Sequence, residues 1–122
     1  MEIKFINFPN VGFSEQKLPK KVLDRLRSYI KNKKHKMTNE LAGNINSSYD
    51  LEDKENWFFK NVLIPNIIEF ENRFNKKALV DNSLTKNCVY TLSRFWVNFQ
   101  KKHEFNPVHN HQGLYSFVIW MD

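Results

Sequence analysis

The run SRFWVNFQKKHEFNPVHNHQGLYSFVIWM, Ser93 to Met121, sets two histidines one residue apart between two stretches rich in aromatic and β-branched residues. Such composition favours strands, so strands are predicted over 88–100 and 113–121, with a polar turn between them. Pro107 biases Asn106 towards extended backbone, and Gly113 lets the chain turn after the pair. In a strand, residues i and i+2 share a face about 7 Å apart. His109 and His111 so placed could converge on one metal ion at nitrogen distances of roughly 2.1 Å. The same two residues also suit a polar turn facing water, because two ligands do not complete a site. The residues alone leave both readings open.

Upstream, Ile3 and Phe5 flank Lys4 before Pro9, which predicts a short strand over 2–8. Leu18, Val22, Leu23, Leu26 and Ile30 recur at three- and four-residue spacing, the mark of an amphipathic helix, with Pro19 suited to its first turn. Lys31, Lys33, Lys34 and Lys36 cluster at its C-terminal end, where cations oppose the helix dipole. Residues 37–50 are rich in Asn and Ser and read as a loop. A second helix follows, with Asp50 as its expected cap and Glu52 and Asp53 in its first turn. Trp57, Val62, Leu63, Ile67, Ile68 and Phe74 are its expected core members, and Pro65 predicts a kink or break. Glu52, Asp53, Glu55, Glu69 and Glu71 read as solvated, as do His35 in the lysine cluster and His103 beside Lys101, Lys102 and Glu104.

The 122 residues suit one domain, and 41% apolar with 15% aromatic content marks a folded chain. The net charge is +6, from fifteen lysines and four arginines against thirteen acids. Excess lysine implies solubility and weak attraction to polyanions, not a specific nucleic-acid site. Sixteen asparagines, with much Lys, Ile and Phe, suggest an AT-rich genome. A single cysteine, Cys88, excludes an internal disulfide and points to a reducing, cytoplasmic setting. The N-terminus has no signal-peptide pattern and no segment has the length of a membrane span, so no membrane partner is expected.

The 93–121 run resembles the iron(II)- and 2-oxoglutarate-dependent oxygenases of phages and marine bacteria. It carries Trp96 and Asn98 on one predicted strand, a polar turn with Phe105, then His109, His111, Ser116 and Val118. The stretch LAGNI at 41–45 is similar to a further element of that group. The resemblance implies an α+β fold: an N-terminal strand and helices followed by an incomplete double-stranded β-helix, or jelly-roll barrel. It implies Fe(2+) as metal, 2-oxoglutarate as cosubstrate and a hydroxylase-type reaction. His109 becomes the first ligand, and His111 stands where the family's carboxylate usually lies. Asn98 and Tyr115 become pocket candidates if alternation holds along each strand. A phage source would place the protein in the host cytoplasm. The family's distal histidine and basic cosubstrate anchor lie further downstream, and no histidine follows His111. Residues 1–122 are therefore expected to be a single domain, the N-terminal portion of a longer oxygenase, incomplete as a catalyst. The substrate, small molecule or protein, is not specified, and oligomerisation stays open.

Other classes compete. A cupin would need a Glu soon after the His-x-His pair, and residues 114–116 are Leu, Tyr and Ser. A non-catalytic phage accessory or binding module with a degenerate metal site accords with the missing half of the centre. A nucleic-acid module draws on the pI of 9.5, but no recognised motif supports it. Zinc held by Cys88, His109 and His111 ranks below iron, since a lone cysteine more often packs in a core.

Overall fold

A computed structural model describes residues 12–74, 89–111 and 113–121. The predicted strand over 2–8, the polar stretch 75–87, Cys88 and the Phe74 side chain lie outside what is described. The architecture mixes helix and strand: α1 (Lys20–Lys31), β1 (Ser48–Asp50), α2 (Ile64–Phe74) and β2 (Trp96–Asn98), an α+β arrangement.

The amphipathic helix forms as its spacing predicts. Val22, Leu26 and Tyr29 are its buried residues, and Pro19 stands just before it, its carbonyl accepting from the amides of Val22 and Leu23. Asp24 pairs with Lys20 at 2.9 Å and Arg27 at 3.2 Å on the solvent side, each such pair adding about 0.2–0.5 kcal/mol to a helix. The lysine cluster is distributed differently from the expectation. Lys31 alone is in the last turn, while Lys34 reaches Glu52 at 2.7 Å.

The second helical region opens with a 3₁₀ turn at Lys54–Asn56. Its cap is Asp53, not Asp50. The Asp53 carboxylate accepts from the amides of Phe58 and Phe59, both at 2.8 Å, and from the Tyr29 hydroxyl at 3.0 Å. Asp50 instead belongs to β1. Pro65 neither breaks nor ends the helix. It cannot donate to the carbonyl four residues back, and a π turn at Phe59–Leu63 widens the coil just before it. Side chains answer carbonyls there: Asn61 donates to the Trp57 carbonyl and Asn66 to that of Val62, each at 2.7 Å.

Phe58, absent from the predicted core, is its centre at 0% exposure. It stacks on Phe95 with ring centroids 5.4 Å apart, Tyr29 meets Phe95 edge-on, and Phe117 tilts against both phenylalanines. Leu51, Val62, Val22 and Leu26 complete the cluster. Ile68, predicted to be core, is exposed.

β1 and β2 pair antiparallel, with Ser48 opposite Asn98, Tyr49 opposite Val97 and Asp50 opposite Trp96. β1 falls within the predicted loop, and β2 is a three-residue part of the longer strand predicted over 88–100. Residues 113–121 form no ladder with any described strand. They nonetheless alternate: Ile119 and Met121 pack on the core and Phe117, though partly exposed, lays its ring against Phe58, whereas Val118 and Trp120 are far more exposed.

Candidate functional site

The loop that carries the histidines is built on the 41–45 segment. The Asn44 amide donates to the Phe105 carbonyl at 2.8 Å. A Cβ on Gly43 would lie 2.0 Å from Asn106 Oδ1, closer than atoms can approach, so glycine there admits the asparagine side chain. Ile45 anchors this segment by burial. Segments 41–45 and 105–106 are thus joined through Asn44, Phe105, Gly43 and Asn106.

Glu104 fixes the preceding turn. Its carboxylate accepts from the Asn46 amide, the Asn46 side chain and the Lys101 amide at 2.8–3.1 Å. The Lys101 amide and then that of Asn46 hold the Glu104 carboxyl below the usual glutamate range. His103 has φ 71° at the turn and is exposed, as predicted; His35 is exposed as well.

His109 and His111 lie outside any strand, and both are exposed. Their rings still come to one side, with centroids 4.6 Å apart and planes tilted by 52°. His109 Nδ1 is 2.6 Å from the Pro107 carbonyl oxygen. A carbonyl only accepts, so in the neutral imidazole Nδ1 carries the proton and Nε2 the lone pair. Metal-binding histidines are commonly oriented by such a bond. Among the described residues, no group of three or more His, Cys, Asp or Glu side chains is gathered to hold a metal ion.

The two pocket candidates are engaged separately. Asn98 Oδ1 accepts from the buried Ser48 hydroxyl at 2.7 Å. The Tyr115 hydroxyl donates to Glu71 on α2 at 3.2 Å, and its ring meets Phe70 and Tyr90 edge-on. Tyr90 donates to the same Glu71 oxygen. Glu71, expected to be solvated, is 6% exposed. Burial first, and the Glu71 carboxylate next, push both phenols above their usual range. Sequence reasoning passed over this cluster, although Glu71 lies four residues after Ile67, one turn further along the same side of the helix.

Comparison with family models, curated proteins and solved structures gives no match to this chain. No helix among the described residues is long and apolar enough to cross a membrane.

Proposed function

We propose that this chain carries the His-x-His part of an iron(II) centre in a 2-oxoglutarate-dependent dioxygenase of hydroxylase type, with its β segments belonging to an incomplete jelly-roll barrel. The observation that supports this reading most is the His109 ring, tied at Nδ1 to Pro107 and open at Nε2, with the His111 ring beside it. Two imidazoles fit two positions of a facial set of three protein ligands. The described residues supply no third, so these residues by themselves hold only part of a centre. Iron held there would supply oxygen activation coupled to decarboxylation of 2-oxoglutarate. The chain's own contribution is orientation: Pro107 sets the His109 tautomer, and the Gly43–Asn106 contact holds the loop.

The test is an anaerobic titration of the protein with iron(II) and 2-oxoglutarate, followed by visible charge-transfer absorption. Absorption that needs both additions and disappears in His109→Ala supports the reading. Its absence in the wild-type chain, with iron nevertheless bound through His109, favours the second reading. That second reading is a non-catalytic accessory or binding module with a partial metal site, and the exposure of both imidazoles supports it.

A further inference from the structure

We infer that the sheet face carrying Tyr49 and Phe99 binds single-stranded nucleic acid without reading its base sequence. This role does not depend on the metal centre.

The face is wider than two strands. Residues 34–37 run along β1: the Lys34 amide donates to Asp50, the Asp50 amide to His35 and the Met37 amide to Ser48, at 2.8–3.1 Å. Lys36 is thereby bridged to Tyr49, which on its other side pairs with Val97. Directly opposed residues in antiparallel pairs present their side chains on one face, so Lys36, Tyr49 and Val97 form a row. Val97 packs on the core, and Leu51 and Phe95, next along the same face, belong to it. The open part of the face is therefore the end with Lys36 and Phe99, with Tyr49 half-buried between them. Met37 and Ser48 are buried on the opposite face.

Phe99 follows two residues after Val97, and its ring lies 6.0 Å from that of Tyr49. Neither ring belongs to the core cluster, and Phe99 is 42% exposed. Lys33 Nζ sits 5.3 Å and 5.9 Å from the two ring centroids. Lys36 is exposed at the edge of the row. Lys34 is offset by Glu52, so the positive weight falls on Lys33 and Lys36. The Tyr49 and Phe99 rings lie beyond the core cluster, at the open end of the face and under a lysine. An exposed aromatic flanked by cations is the chemistry that holds a single strand, bases stacking on the ring and phosphates meeting the lysines. The net charge of +6 favours the same polyanion at longer range.

The experiment is fluorescence anisotropy with a labelled oligodeoxythymidylate at several salt concentrations, each variant checked by circular dichroism. Affinity should fall with salt at a log–log slope of about −0.7 per neutralised phosphate. Phe99→Ala should weaken binding by about tenfold with the slope kept. Lys33→Glu with Lys36→Glu should weaken binding and flatten the slope. Lys21→Glu with Lys60→Glu, the same charge change at exposed sites on the helical regions, should leave it near wild type. Equal losses from the two charge-reversal pairs, no binding at low salt, or binding to phosphatidylserine vesicles with none to the oligonucleotide would each overturn the assignment.

Discussion

Gly43 and Asn106 interlock: the space a side chain at 43 would occupy is filled by the Asn106 amide, whose Oδ1 would be 2.0 Å from a Cβ there. The contact joins a segment without regular structure to the loop bearing His109 and His111. Gly43→Ala must therefore rotate Asn106 away. The backbone at 43 needs no glycine-only conformation, so the whole effect is steric. Overpacking of this kind costs about 1–3 kcal/mol, and the yielding end of an asparagine places this case at the low end. The imidazole resonances of both histidines should shift in proton NMR, while the aromatic core around Phe58 keeps its spectrum.

Asp53 caps the second helical region and ties it to α1 through Tyr29. Asp53→Ala should cost about 0.5–2 kcal/mol in urea unfolding, the range for a lost cap, towards its upper end because the Tyr29 hydroxyl loses its acceptor as well. Asp50→Ala should fall within about 0.5 kcal/mol of wild type. A reversed order would return the cap to Asp50.

Tyr90 and Tyr115 have their phenols pushed up by burial and by Glu71. A phenol whose folded-state pKa is raised contributes stability that is complete below the unfolded value, about 10. That stability is lost as pH rises through and above it. The thermal unfolding temperature should therefore fall steeply on the alkaline side of pH 10, and Tyr90→Phe should remove part of the slope. An unchanged slope in that variant would show that Tyr90 does not carry the alkaline loss.

Glu104 has the opposite sign. Its carboxyl is held low, so its contribution is present above the usual glutamate range and lost as pH falls through the folded value. Acidification should release the Asn46 and Lys101 amides to hydrogen exchange before the core opens. Glu104→Gln should show the same release at neutral pH.

The helices were the legible part of this sequence. Val22, Leu26 and Val62 declare their faces by spacing alone. Phe58 did not, although it stands four residues before Val62, because it lies between Trp57 and Phe59 and a run of three aromatic residues hides which of them faces inward. β1 was hidden in a polar loop: Ser48–Asp50 is too short to alternate visibly, and its partner lies some fifty residues on. Glu71 looked solvated because its two phenol partners are distant in sequence. The histidine pair was visible at once from its spacing, and the structure adds the Pro107 bond that orients one ring. The strand geometry assumed for that pair is absent, yet the rings still face one another across one residue.

The most direct measurement is an anaerobic calorimetric titration of iron(II) into the wild-type chain, His109→Ala and His103→Ala. One equivalent bound by wild type and His103→Ala, and none by His109→Ala, is the result expected of an iron site built on His109. Equal binding by all three, or none by the wild type, would contradict it.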